Sequence, residues 1–164
     1  MVPLDLIVVV FRSTHAETVT GRIVAVADGD TITLLDETLQ LHKIRLAGID
    51  APEKKQEFGQ KAKSALSTLA YGEAATADCR KRDLYQREIC VVRVKGKDVG
   101  LGQIAAGLAW WYRHYSKEQS AQERSDYEQA ESDARSHRFG VWVSQNPRPP
   151  CEWRHGGATS LVPH

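Results

Sequence analysis

Between residues 19 and 47, apolar and polar side chains alternate in three short runs separated by turn residues. The first, VTGRIVAVA at 19–27, is apolar and β-branched, and Gly21 within it marks a candidate bulge. Asp28-Gly29 is a turn dipeptide of the hairpin kind, and DTITLL at 30–35 resumes the strand pattern. After Asp36-Glu37 the run at 39–47 sets Ile44 and Leu46 against Lys43 and Arg45, which predicts the third strand of a meander. The period then changes. Phe58, Ala62, Ala65, Leu66 and Leu69 recur at helical spacing, with Gly72 where a helix would stop. Residues 74–79 and 88–94 return to strand, joined by a polar, basic loop, and helical spacing resumes at Val99, Leu101, Ile104, Ala105 and Leu108. A last helix is predicted over 117–138, with Tyr127, Ala130 and Ala134 on one face and Gly140 closing it. Val141-Trp142-Val143 then packs back on the body, residues 146–150 are Pro-rich and irregular, and 156–164 read as a disordered tail.

Three strands, a helix, two strands and then helices is the order of an α+β protein built mainly on a five-stranded, OB-type Greek-key β-barrel with about three helices. No internal repeat or linker interrupts it. The expected organisation is one domain over 17–145, followed by a Pro/Gly-rich C-terminal tail at 146–164. The first sixteen residues stand apart. Their apolar run at 4–11 is too short to span a bilayer and is followed by Ser13-Thr14-His15-Ala16, similar to the small-residue end of a secretory signal. A basic start is missing and Asp5 interrupts the run, so 1–16 reads as a degenerate signal peptide or an N-terminal extension. As a signal it would make the protein periplasmic or secreted.

Charge narrows the chemistry. The 164 residues carry 22 Lys and Arg against 21 Asp and Glu, a formal charge of +1, so any phosphate site must be local. The runs Arg80-Lys81-Arg82 with Arg87, and Arg135 with Arg138, read by themselves as solvated faces. Three cysteines are too few and too scattered for a structural zinc site. Cys79 and Cys90 lie symmetrically about Leu84-Tyr85, so a hairpin turning there would set them face to face. They are then either a disulfide in an exported protein or two small buried apolar side chains. None of the six histidines has metal-ligand spacing.

The stretch KIRLAGIDAPE at 43–53 carries the most chemistry. It sets Arg45 within an apolar strand, then bends at Gly48 and Pro52 so that Asp50 and Glu53 leave the strand near its end. A guanidinium grips phosphate through two parallel hydrogen bonds, one carboxylate can hold a hard cation, and another can take a proton from water.

Together with DGDT at 28–31, QEFGQKA at 56–62, DLYQR at 83–87, AAGLAWWY at 105–112 and the ending NPRPPCEWR at 146–154, this stretch resembles the staphylococcal nuclease family. The resemblance covers about 19–142, and the ending is similar to the tail of the family's exported bacterial members. It implies a calcium-dependent phosphodiesterase that cuts DNA and RNA with little sequence preference and leaves 3′-phosphates. Carried over by position, Asp30 and Asp50 are the carboxylate ligands of Ca2+ and Ala51 a backbone ligand, standing where the family often has threonine. Glu53 is the general base, Arg45 and Arg87 stabilise the charge of the phosphorane, and Tyr85 and Tyr115 line the nucleotide pocket. The implied partners are DNA and RNA, with a preference for single strands left open; neither a stable protein partner nor a membrane is implied. Gln86 replaces a glycine of the family's Tyr-Gly-Arg, which puts the aim of Arg87 in question, and Arg113 replaces another pocket tyrosine. The rival class is a non-catalytic OB-fold nucleic-acid-binding module, which would predict gaps among Asp30, Arg45, Asp50, Glu53 and Arg87.

Overall fold

A computed structural model describes residues 17–156. The expected signal segment at 1–16 and the end of the tail from 157 onward lie outside the described residues. Five strands form the barrel: β1 (Glu17–Val26), β2 (Thr31–Asp36), β3 (Leu41–Leu46), β5 (Ala74–Arg82) and β6 (Glu88–Val94). Neighbouring strands run antiparallel in the order β3-β2-β1-β5-β6, and a short parallel pairing of β3 with β6, Ile44 opposite Glu88 to Leu46 opposite Cys90, closes the sheet on itself. Closure removes the free edges that a five-stranded sheet would otherwise expose.

Alternation along each strand fills the interior. Ile23, Ile32, Leu34, Ile44, Leu46, Ala77 and Val92 are buried, and Ala62, Leu66 and Ala70 of helix α1 (Gly59–Ala70) pack into the same core. The bulge in β1 falls between Ile23 and Ala25, not at Gly21. Gly21 instead pairs on both sides, with Asp36 and with Ala75, and a Cβ there would collide with the Leu35 carbonyl. The glycine therefore permits close approach of two strands and is not an inserted residue.

Two short strands, β4 (Ile49–Asp50) and β8 (Trp110–Trp111), form an antiparallel ribbon beside the barrel, with Asp50 opposite Trp110. Between them in sequence come α1, the last barrel strands, strand β7 (Lys97–Asp98) and helix α2 (Val99–Ala105). The aromatic run thus divides: Trp110 and Trp111 are buried, whereas Tyr112 is half-buried. The long helix predicted from 117 begins later, as α3 (Ala121–Ser136), after a 3-10 turn at Arg113–Glu118. Ser120 sets that start by accepting from the Glu123 backbone N–H while Glu123 reaches back to the Ser120 N–H, a reciprocal capping box. Glu123 also takes Arg80 Nη2 at 2.8 and 3.1 Å, which ties α3 to β5. Val141 and Trp142 do pack back, in a small cluster with Trp110 and Ala134, whereas Val143 stays exposed.

His42, one of the histidines without an expected role, lies buried on β3 between two carboxylates. Its Nε2 is 2.9 Å from Asp36 Oδ2 and its Nδ1 is 3.0 Å from Glu88 Oε2, so the ring donates to both only as the cation. Burial works against that charge, but the hydrogen bonds to Asp36 and Glu88 outweigh it and raise the His42 pKa above 6.5. The bond to His42, with further bonds from Gln40 and Thr38, holds the Asp36 carboxyl below its ordinary range. A raised histidine pKa stabilises the fold fully below about pH 6.5, and this contribution fades as pH rises through the higher folded value. The stability difference between wild type and His42→Asn, read from urea unfolding, is accordingly largest near pH 5 to 6 and shrinks towards pH 9. A pH-independent difference would mean that the ring is held neutral.

Candidate active site

Sharp turns around β4 deliver the acidic groups. The loop from Ala27 to β2 places Asp30 one residue before the strand, with the Asp30 N–H bonded to Asp28 Oδ1 at 3.1 Å. Gln103 of α2 fastens this loop from below: its Nε2 donates to the Gly29 carbonyl at 2.8 Å and to the Ala62 carbonyl of α1 at 2.9 Å. After β4, Pro52 and a tight turn carry Glu53, whose N–H donates to Gln56 Oε1 at 3.1 Å. Gly59 begins α1 directly against the Glu53 carbonyl, where any side chain would clash with that oxygen. The glycine in the QEFGQKA run is therefore needed for close approach.

These elements border a cleft of about 720 Å³, lined by Asp30, Arg45, Ala51, Glu53, Arg87, Tyr85 and Tyr115 among others. Asp50 is set in its wall: the side chain is 3% exposed and does not line the cleft. Arg45 joins the two aspartates, with Nη2 at 3.1 Å from Asp50 Oδ1 and 3.5 Å from Asp30 Oδ2. The Ala51 N–H donates to Asp30 Oδ2 at 3.1 Å, so the backbone at Ala51 lies against the same carboxylate. Burial pushes the Asp50 carboxyl up despite its arginine partners, and Asp30 adds to the shift. Burial and the charge of Asp30 likewise raise Asp28. Two nearly buried aspartates that offer only oxygen ligands suit a hard divalent cation, whose charge would relieve this crowding.

Arg87 leaves the turn between β5 and β6. Asp83 organises that turn, its Oδ1 accepting from the Tyr85 and Arg87 N–H groups at 2.9 and 3.0 Å while Oδ2 takes Arg87 Nε at 2.8 Å. Burial opposes the charge of Asp83, but these bonds from Arg87 and Tyr85 hold its carboxyl below the ordinary range. Arg87 Nη1 then reaches Thr31 Oγ1 at 3.2 Å, next to Asp30. Gln86 does adopt the left-handed backbone expected for the missing glycine, with φ of 62°. Such strain costs about 1 to 2 kcal/mol, yet the guanidinium is aimed by Asp83 and Thr31 and not by residue 86.

Of the two predicted pocket tyrosines, Tyr85 is 79% exposed at the rim and Tyr115 stacks edge-on with Tyr112 at 5.4 Å. Lys81 Nζ stands 4.0 Å from the centre of the Tyr115 ring. Tyr112, at the end of the aromatic run, also lines the cleft, its ring centre 6.0 Å from the Arg45 guanidinium carbon. Arg113 turns away: it pairs with the buried Glu131 at 2.8 Å and covers the Trp111 ring at 4.3 Å, a structural role in place of the pocket tyrosine.

Sequence reasoning missed a further cleft residue. The tail is helical from Pro150 to Gly156 (α4), and Arg154 on it bonds Asp50 Oδ2 at 3.1 Å and Glu53 Oε1 at 2.5 Å. No spacing rule links residue 154 to residues 50 and 53; the one signal was the likeness of NPRPPCEWR to the family tail.

A closed OB-type barrel with a cleft of carboxylates and arginines at one end is the framework of a phosphodiester-cleaving hydrolase. The family model described as "Staphylococcal nuclease homologue" matches residues 43–144. An "Uncharacterized endonuclease" of Haemophilus influenzae is 38% identical over 151 residues, 92% of this chain and 82% of that protein. A "Micrococcal nuclease" of Shigella flexneri is 37% identical over 143 residues, 82% of this chain and 79% of that protein, and an "Uncharacterized endonuclease" of Escherichia coli O157:H7 is 35% identical over 136 residues. The chain belongs to the staphylococcal nuclease family, metal-dependent hydrolases of nucleic acid, and is an endonuclease.

Proposed function

We propose that this endonuclease is a calcium-dependent phosphodiesterase that cuts DNA and RNA without sequence preference, releasing 3′-phosphates. The observation that carries the reading is that Asp30, Arg45, Glu53 and Arg87 line one cleft and that Asp50 is held in its wall by Arg45, with no member of the set missing. Asp30, Asp50 and the Ala51 carbonyl would hold the ion. Bound there, calcium would supply Lewis-acid polarisation of the scissile phosphate and a fixed template for it.

The chain's own residues supply the rest. Glu53, partly exposed at the cleft, takes the proton of the attacking water. Arg45 and Arg87 approach from two walls and neutralise the extra negative charge that develops as phosphorus becomes five-coordinate. Arg87, nearer the exposed turn, also serves departure of the 5′ oxygen. Tyr85 and Tyr115 offer faces for base or sugar. Every one of these groups addresses phosphate, ring face or water and none is placed to read base edges, which supports low sequence specificity and access by single strands.

Export is part of the proposal. Cys79 and Cys90 are joined in a disulfide across β5 and β6, a bond typical of proteins matured in an oxidising compartment. The test is cleavage of single-stranded DNA and RNA with calcium or with a chelator. Calcium-dependent cutting is expected, lowered about 10²- to 10⁴-fold in Glu53→Gln. If the protein binds DNA with calcium saturating and never cuts it, the reading fails.

A further inference from the structure

Arg154 differs from the other two arginines of the cleft in what holds it. Arg45 is built into a barrel strand, and Arg87 is clamped by Asp83 and Thr31. The partners of Arg154 among the described residues are Asp50 and Glu53 alone. Its Nη2 is the one partner of Asp50 Oδ2, at 3.1 Å, while Oδ1 faces Arg45 Nη2 at 3.1 Å and Arg154 Nη1 at 3.4 Å. Both oxygens of a carboxylate proposed as a cation ligand are thus taken by guanidinium groups. The same Arg154 side chain also holds Glu53 Oε1.

The helix bearing Arg154 is anchored to the turn it serves. Gln56 Nε2 donates to the Arg148 carbonyl at 2.6 Å, just before α4, while Gln56 Oε1 holds the Glu53 N–H. Pro150 is buried at the start of α4, so the tail enters in a defined place. Towards the far end of the helix the Arg154 side chain is 43% exposed. An arginine so placed can reach the acids when they lack a counter-charge and can swing into solvent when they have one.

We propose that Arg154 is an internal counter-ion of the Asp50–Glu53 pair that a divalent cation must displace, so that the C-terminal helix sets the cation affinity of the active site. The inference rests on the reading of Asp30 and Asp50 as cation ligands. Two positive groups cannot share Asp50 Oδ2 and the space before it without strong repulsion. The free energy of releasing Arg154 is therefore subtracted from cation binding, and binding is weaker than the carboxylates alone would allow. Arg154 acts through Asp50 and Glu53 and is a positioning residue in this scheme.

The deciding measurement is calorimetric titration of calcium into the full chain without nucleic acid, for wild type, Arg154→Ala, Arg154→Gln and Arg154→Lys. The two neutral variants are expected to bind calcium about fivefold more tightly, the order of one partly exposed ion pair, while Arg154→Lys, which keeps a charge, stays near wild type. The calcium-induced rise of the unfolding temperature should grow in the neutral variants for the same reason. Having two neutral substitutions guards against one that fails to fold. Equal or weaker calcium binding by the folded neutral variants overturns the proposal and leaves the cation site standing. Absence of calcium binding by wild type and neutral variants alike overturns the cation-site reading as well, and Asp50→Asn, expected to lose binding, marks that case.

Discussion

Arg45→Ala lowers the single-turnover cleavage rate by about three orders of magnitude at saturating calcium, the scale of losing a preorganised charge donor aimed at a transition state. The expectation follows from two properties of the residue. Arg45 projects from near the end of β3, where that strand pairs on both sides, with β2 through Thr31 and with β6 through Ile89, so its Cα has little freedom to drift. Its guanidinium is already paid for in position by Asp50 and Asp30, leaving its remaining donors to meet phosphate without reorganisation. Arg45→Lys should recover only part of the rate, because an ammonium keeps the charge and loses the planar fork. Calcium titration separates this from a damaged metal site: removing a cation beside Asp30 and Asp50 should not weaken calcium binding even as the rate collapses. A rate within tenfold of wild type would assign Arg45 to holding the aspartates and not to the reaction.

Breaking the Cys79–Cys90 disulfide is the largest expected effect on stability. Its cysteines are 11 residues apart, and closing a loop of that size in the unfolded chain is worth about 2 to 3 kcal/mol. For a domain of this size that corresponds to a fall in unfolding temperature of roughly 10 °C. The bond also lies where the barrel closes: Cys90 pairs with Cys79 on one side and with Leu46 of β3 on the other, and its carbonyl accepts the Ala47 N–H at 2.8 Å. Reduction should therefore loosen both the turn that carries Arg87 and the end of β3 that leads to Asp50. Thermal unfolding with and without reductant, alongside a Cys79→Ala/Cys90→Ala double variant, reads the effect. A shift under about 2 °C would mean that strand pairing already supplies the constraint.

Much of this molecule is legible along the chain because it depends on local periodicity. The meander, α1 and the two later barrel strands follow from period-2 and period-3.6 burial, since each strand hides one face and each helix one stripe. The candidate residues of 43–53 were also legible, because a strand, a glycine and a proline suffice to bring one arginine and two acids near each other. So was the unusual backbone at Gln86, which stands where a left-handed conformation is required and takes it, with φ of 62°. The pairing of Cys79 with Cys90 was visible as a register and undecided as chemistry, because symmetry about a turn places two side chains opposite without saying whether they react.

What only the tertiary structure decided are relations between residues far apart in sequence. The cation on the Asp50–Glu53 pair comes from residue 154, about a hundred positions away, on a helix too short to announce itself by periodicity. Tyr112 faces the cleft and its neighbours Trp110 and Trp111 do not, since the β4–β8 ribbon ends just before it and the chain turns. Arg113 was drawn out of the pocket by a buried glutamate eighteen residues on, and His42 was made a bridge by Asp36 and Glu88 from two other strands. A hydrophobic pattern specifies which face of an element is buried, so the sequence by itself determined the barrel and the stretch that carries most of its chemistry. Charged partners are chosen by which faces meet after folding, and a Coulomb contact leaves no period in the sequence from which to read it.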